Sequence, residues 1–284
     1  MVLKIMLRHW IFAFLGGLAL STVLLVQAHQ TVTTWNNHSG LSEASLKDPE
    51  ICYSLKPARG NTEKFLIRAS FMYGNYDGQN QLPCFGLLLE ADEWDSVQFT
   101  DASTVVFKEI IHVPKKNYID VCLVNTGSGT PFISALELRP LKNDSYPTNP
   151  GISLLLYLRL DVGSMINDKA NFRLKDDACD RIWSPYTQSN WLILSNSINF
   201  NTVGSTYQLP STVLQTGATP GNDSDSLVIV WVPNDPTAEY YFYLYFAELY
   251  KSQQNKDGRE VDVYLNGVFR GGPFKPPYRI NYIH

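Results

Sequence analysis

Leu66-Ile67-Arg68-Ala69-Ser70-Phe71-Met72-Tyr73-Gly74-Asn75-Tyr76-Asp77-Gly78 is the stretch on which the fold of this 284-residue chain turns. Phe65, Ile67, Ala69 and Phe71 alternate with Leu66, Arg68 and Ser70, the period of two that puts alternate side chains on opposite faces of a strand. The glycines and Asn-Tyr-Asp that follow punctuate a turn. A second run, Val121-Cys-Leu-Val-Asn-Thr-Gly-Ser-Gly-Thr-Pro-Phe-Ile-Ser-Ala-Leu-Glu-Leu-Arg-Pro-Leu141, repeats the scheme of strand, glycine-rich turn and strand.

The same reading extends outward. Ile119, Val121 and Leu123 alternate with Asp120 and Cys122, and Val261, Val263 and Leu265 with Asp262 and Tyr264. Asn266-Gly267 follows at once, a signal for a tight hairpin turn because both central residues take positive φ. No stretch carries a helical stripe with caps. Short strands separated by Gly, Pro, Asn and Asp predict an all-β chain built as sandwiches. The segment from Arg139 to Gly151 holds three prolines and few apolar residues, so its core, 142–151, is expected to be a Pro-rich linker between modules at 30–141 and 152–284. In each half an alternating run begins 20 residues before another, near Phe65 and Phe85 and near Tyr241 and Val261, which suggests a repeated hairpin.

At the N-terminus, Lys4 and Arg8 precede an apolar run from Trp10 to Val26, and Val26-Gln27-Ala28 supplies small residues where a signal peptidase reads. Residues 1–28 are expected to be a secretory signal cleaved after Ala28. The alternative is an uncleaved membrane anchor, for which the run is short. The whole chain has a net charge of −4. Beyond Ala28 there are 21 basic and 27 acidic residues, a balance of −6, which argues against nucleic acid or anionic lipid as a general partner. Cys52, Cys84, Cys122 and Cys179 are disulfide candidates in an oxidising compartment, with three pairings open and an odd thiol expected in the first module unless a bridge crosses modules. None has Cys-x-x-Cys spacing, so no metal site is expected. Asn37, Asn143 and Asn222 begin sequons in polar, turn-rich stretches and are expected to carry glycans.

These runs resemble the malectin-like ectodomain of plant leucine-rich-repeat receptor-like kinases, from about Cys52 to the C-terminus. Cys52-Tyr53-Ser54-Leu55-Lys56-Pro57 is similar to the family's Cys-Tyr-x-Leu-x-Pro. Asp176-Asp177 with Asp180-Arg181-Ile182-Trp183-Ser184-Pro185 resembles the start of its second module. Tyr245-Phe246-Ala247-Glu248 and Arg259-Glu260 through Asn266-Gly267 resemble a hairpin of that module. The resemblance implies two tandem malectin-like, jelly-roll-like β-sandwiches, the first lacking N-terminal strands and the second truncated at its C-terminus. It also implies an extracellular or cell-surface location, with full-length relatives in the plasma membrane. The repeats, membrane span and kinase of those relatives are not in this sequence.

Catalysis finds little support. Beyond Ala28 the histidines are His29, His38, His112 and His284, and there is no Gly-x-Ser-x-Gly elbow or His-Glu-x-x-His. His112 stands in a strand-like run and is expected to be structural. Gly127-Ser128-Gly129 lacks the Lys and helix of a phosphate loop. Two carboxylates across a cleft would serve a glycosidase, and Glu90, Asp92, Glu93 and Asp95, or Asp176, Asp177 and Asp180, are the available clusters. Solvated loop carboxylates are the plainer reading. Carbohydrate binding is the sharper idea, because sugars stack their C–H faces on aromatic rings and bond their hydroxyls to Asp and Asn. Tyr73, Tyr76 and Asp77 in the glycine-flanked turn, and Trp94 beside Glu93 and Asp95, are the candidate carbohydrate-binding residues. The chain is therefore read as a non-enzymatic ligand-recognition region without cofactor. Its expected partners are cell-wall carbohydrate, a peptide or a co-receptor ectodomain. The alternative is a secreted carbohydrate-active enzyme or its accessory module.

Overall fold

A computed structural model describes residues 1–8, 18–29, 51–57, 63–164, 166, 171–200, 205–222, 224–233, 235, 238–249, 260–276 and 282–283. Its strands run β1 (Val2–Arg8), β2 (Leu18–His29), β3 (Ile51–Leu55), β4 (Lys64–Met72), β5 (Cys84–Leu89), β6 (Asp92–Val97), β7 (Val105–His112), β8 (Ile119–Ser128) and β9 (Ala135–Leu141). They continue as β10 (Ser153–Val162), β11 (Phe172–Arg173), β12 (Ile182–Tyr186), β13 (Trp191–Ser195), β14 (Thr216–Pro220) and β15 (Ser226–Val230). The last four are β16 (Tyr240–Glu248), β17 (Glu260–Leu265), β18 (Val268–Phe274) and β19 (Tyr282–Ile283). One helical turn, α1 (Ser211–Leu214), interrupts this all-β chain among the described residues. The chain divides into two compact units, one of residues 28–156 and the other of residues 1–27 with 157–284.

In the unit of residues 28–156, β4 lies between β7 and β9, antiparallel to both. A second sheet runs in the order β3-β8-β5-β6. Phe65, Ile67, Ala69 and Phe71 of β4 meet Phe85, Leu87 and Leu89 of β5 and Ile119, Val121 and Leu123 of β8 in one core. The period-two face read from the sequence is therefore the inner face of a sandwich. Consecutive strands β4 and β5 belong to opposite sheets, and so do β16 and β17, so the expected repeated hairpin does not form. In a sandwich, successive strands commonly cross from one sheet to the other.

The other face of β4 departs from the solvent exposure that alternation suggests. Arg68 is fully buried (0% exposed). It sits opposite Glu109 of β7 and Glu137 of β9, and its guanidinium donates to both, at 2.6 and 3.0 Å. The register explains the ion pairs, since residues directly opposite across a ladder are close enough to bond. Cys52 of β3 likewise faces Cys122 of β8, and the two form a disulfide. Cys84 is the odd thiol of this unit, and Cys179, buried in the other unit, is outside any disulfide.

The proline-rich stretch after β9 is anchored. Tyr146 is buried, and the buried Lys64 ammonium donates to the carbonyls of Asn143, Ser145 and Tyr146. The unit accordingly runs on through this stretch into β10, whose Ser153–Leu155 pair with β7.

In the unit of residues 1–27 and 157–284, one sheet has the order β15-β1-β17-β18. Asn266 and Gly267, at φ 50° and 79°, make the tight β17–β18 turn that the Asn-Gly pair predicts. β13, β14, β2, β16 and β19 pair in succession. Leu3, Ile5, Leu227, Ile229, Val261, Val263, Leu244 and Phe246 fill the core. Asp177 organises the loop before β12: it accepts from Arg181 Nε at 2.9 Å, from Trp183 Nε1 at 2.8 Å and from the Cys179 backbone. Arg181 also donates to the carbonyls of Tyr207 and Gln208. The Asp-Asp…Asp-Arg-Ile-Trp run is thus a buried structural hub. β1 (Val2–Arg8) and most of β2 (Leu18–His29) fall within residues 1–28, the segment read from the sequence as a leader.

Candidate ligand-recognition site

The turn after β4 brings three of the four candidate residues together. Gly74 (φ 55°), Asn75 (φ 54°) and Gly78 (φ 69°) take left-handed backbone, which glycine and asparagine tolerate best and which folds the chain tightly enough to stack its own side chains. Tyr73 is buried (1% exposed), and its hydroxyl donates to Asp77 Oδ1 at 2.5 Å and to Asn75 Oδ1 at 3.1 Å. The backbone N–H of Gln79 also donates to Asp77 Oδ1. The Tyr73 hydroxyl is the main reason that Asp77 stays below the usual carboxylate range, so Asp77 is ionised at neutral and mildly acidic pH. The same bond raises the Tyr73 phenol. Asn75 Oδ1 accepts from the Asn80 backbone, which ties the turn to its exit.

Tyr76 lies on the surface, 54% exposed. Its ring meets Tyr73 edge to face at 5.7 Å and lies 5.1 Å from Phe132, and its hydroxyl donates to the Thr130 carbonyl at 3.2 Å. Phe132 is half-buried, stacks on Phe99 at 15° between ring planes, and reaches inward to Phe71 and Phe85. Offset and edge-to-face contacts of this kind hold rings firmly. The site is therefore a rigid aromatic knob with one ring open to solvent and an ionised carboxylate one residue away.

Two further loops support it. Ala102 accepts from the Gly74 backbone, and the Asp101 carboxylate is held far below its ordinary range, first by the Ser103 hydroxyl and then by Thr104. On the other side, Gly129 (φ 79°) lies against Pro83, where an added Cβ would stand 2.8 Å from the proline Cβ. Only glycine fits there, and the approach sets the course of Thr130-Pro131-Phe132.

Trp94 does not join this cluster. It is 3% exposed and fills the sandwich core beside Val97. On a strand, Glu93 and Asp95 point away from Trp94, so adjacency in sequence is not proximity in space. Phe132 and Phe99 are the residues that sequence reasoning missed. The Gly-Ser-Gly-Thr-Pro-Phe run was visible, but nothing in it shows that its phenylalanine lands beneath Tyr76.

Three of the carboxylates weighed for a hydrolytic pair are engaged. Asp95 pairs with Lys108 at 2.6 Å, Asp176 accepts from the Thr212 backbone and hydroxyl, and Asp180 lies 3.5 Å from Arg173. His112 Nδ1 and Ser153 Oγ are 2.8 Å apart, and Nε2 is 3.6 Å from Glu90. This alignment imitates a catalytic relay, but Ser153 and His112 are both buried, so no substrate reaches the hydroxyl. Burial lowers His112 to about 4 and keeps the ring neutral. Among the described residues no three His, Cys, Asp or Glu side chains gather as metal ligands. Asn143 and Asn222 are exposed, Asn222 donating to Asp225, and Asn37 lies outside the described residues.

Two leucine-rich repeat receptor-like serine/threonine-protein kinases of Arabidopsis thaliana are 42% identical over 231 residues and 39% identical over 219 residues. These alignments cover 80% and 76% of this chain but 26% and 24% of the relatives, so the chain spans about a quarter of their length. Among solved structures, the plant peptide RALF23 in complex with FER and LLG2 gives a TM-score of 0.44 at 14% identity, over 59% of this chain and 50% of that one. The plant receptor-like kinase ANX2 gives 0.40 at 15%, over 63% and 53%. Residues 45–283 match the malectin-like domain, and the chain belongs to that family.

Proposed function

We propose that this chain is an extracellular ligand-recognition region of the receptor-like-kinase type, and that it binds cell-wall carbohydrate on the Tyr76 face. The observation that carries this is the exposed Tyr76 ring, fixed from behind by Tyr73 and Phe132, with the ionised Asp77 alongside. A sugar's C–H face stacks on the ring while its hydroxyls donate to the carboxylate. Loops on a rigid β scaffold are the usual place for such contacts. The Cys52–Cys122 disulfide and the exposed Asn143 and Asn222 sequons support export through an oxidising compartment, with glycans at both positions.

The chain acts by binding and not by catalysis, a reading supported by the engagement of Asp95, Asp176, Asp177 and Asp180 in ion pairs and hydrogen bonds. An array of cell-wall oligosaccharides, with a hydrolysis assay on the same sample, tests the proposal. Binding without turnover is expected. Turnover that is lost with one carboxylate would favour the enzyme reading, and a chain that binds no glycan would shift the assignment to a peptide or co-receptor ectodomain.

A further inference from the structure

We propose that the Tyr76 face selects its ligand by charge: it takes an uncharged oligosaccharide whose hydroxyls donate, and it excludes acidic polysaccharides that carry a carboxylate on each sugar ring. The inference rests on the carbohydrate reading above and adds to it the class of ligand. The make-up of the three loops around the exposed ring carries it. Residues 73–83, 99–104 and 126–134 hold two aspartates, Asp77 and Asp101, and no lysine or arginine. The Gly74 N–H donates to the Ala102 carbonyl at 2.7 Å, so the loop that bears Asp101 is tied to the turn that bears Asp77. Tyr76 reaches the third loop through Thr130 and Phe132.

Among the described residues, the bonds to both carboxylates come from uncharged donors. The Tyr73 hydroxyl and the Gln79 N–H donate to Asp77 Oδ1. Asp101 Oδ1 accepts from the Ser103 hydroxyl at 2.6 Å and the Ser103 N–H at 2.8 Å, and its Oδ2 accepts from the Thr104 hydroxyl at 2.6 Å. Such donors favour the ionised form without cancelling its charge. Other carboxylates of the same unit do meet cations. Asp95 pairs with Lys108, and Glu109 and Glu137 pair with Arg68. The Tyr76 face therefore keeps a negative charge that the rest of the unit neutralises.

The hydroxyls that could serve an incoming anion are already engaged. Tyr76 donates to the Thr130 carbonyl, Tyr73 to Asp77, and Ser103 and Thr104 to Asp101. A uronate would bring acceptors and negative charge to a face that offers acceptors and negative charge. Recognising it would call for the fork of an arginine or the point charge of a lysine, and these loops supply neither. A neutral sugar brings donors instead. The bonds from Tyr73 and Gln79 fall on Asp77 Oδ1, and Oδ2, taken by neither, is the acceptor for a sugar hydroxyl. The Tyr76 ring stacks on the C–H face of either kind of sugar, so charge decides between them.

Calorimetry on the full chain tests this. The ligands are oligogalacturonides of one length, fully methyl-esterified or unesterified, and a neutral β-glucan fragment, in low salt with a calcium chelator. The two galacturonides share a backbone and differ in charge. The unesterified form is expected to bind roughly tenfold or more weakly than the best neutral ligand, because like charges brought together oppose association. The ratio is expected to shrink as salt rises past about 0.15 M, where screening acts within about 8 Å. Asp77→Asn keeps the side chain's shape, removes one charge and is expected to narrow the same ratio by about threefold. The inference is overturned, with the site itself intact, if the unesterified form binds as tightly as the neutral ligands and Tyr76→Ala weakens both. If none of the ligands binds, the carbohydrate reading of this face fails and the charge selection fails with it.

Discussion

Replacing Cys52 and Cys122 by alanine together should cost the unit of residues 28–156 about 4 kcal/mol of unfolding free energy. The bridge joins residues 70 apart in sequence, and the loop it closes holds β4 to β7 and the start of β8. On the chain-entropy account, a closed loop of that length removes roughly 4.4 kcal/mol of freedom from the unfolded state at room temperature. Native packing adds little to the difference, because Cys52 is exposed and Cys122 loses only its contact with Leu88 and Val124. The loss should therefore appear as a lower midpoint in guanidinium with the native spectrum retained. Tryptophan fluorescence is a suitable probe, since Trp94 lies in this unit's core. Cys84→Ser is the control and should change stability by less than about 0.5 kcal/mol, the scale of substitutions away from special features. A double variant within about 1 kcal/mol of the parent, or a Cys84→Ser variant that is the more damaging, would refute the pairing of β3 with β8 through this bridge.

Three other outcomes follow from named contacts. Arg68→Met leaves Glu109 buried without its guanidinium and should destabilise the same unit by about 3 kcal/mol in chemical denaturation, the scale of a broken buried ion pair. Gly129→Ala forces a side chain onto Pro83 at positive φ and should cost about 1–3 kcal/mol by thermal unfolding, with weaker glycan binding because Thr130 and Phe132 shift. Asp161 and His112, one in each unit, should contribute oppositely in acid. Burial raises Asp161 to about 7, so the unfolded state holds fewer protons than the folded one between about 4 and 7, and stability of the unit containing Asp161 falls as pH rises through that window. Burial lowers His112 to about 4, so the reverse holds, and stability of the unit of residues 28–156 falls as pH drops from about 6.5 to 4. Asp161→Asn and His112→Gln should each flatten only their own unit's pH profile in urea melts, and a variant that leaves its profile unchanged would contradict the assignment.

Much of the fold was legible because its strands obey local rules. The inner face of β4, the β8 alternation and the Asn266-Gly267 turn are set by neighbours in sequence, and each forms as read. What escaped depends on pairing between distant segments. Arg68 looks like a solvent residue until Glu109 and Glu137 arrive from β7 and β9. Trp94 looks like a surface aromatic among carboxylates until the strand turns it inward. At the candidate site, Tyr73, Tyr76 and Asp77 were readable as one turn. Phe132, 56 residues beyond Tyr76, was not, because only the sandwich brings the two loops together.

The measurement that bears most directly on the account is calorimetric titration of cell-wall oligosaccharides into the parent chain and into Tyr76→Ala, with Trp94→Phe as a buried control. Loss of the exposed ring should weaken binding by about 1 kcal/mol or somewhat more, roughly fivefold or greater, judging from what aromatic contacts add beyond plain burial. Trp94→Phe should leave affinity unchanged. A Tyr76→Ala chain that folds and binds the same oligosaccharide as tightly as the parent would contradict recognition at this face.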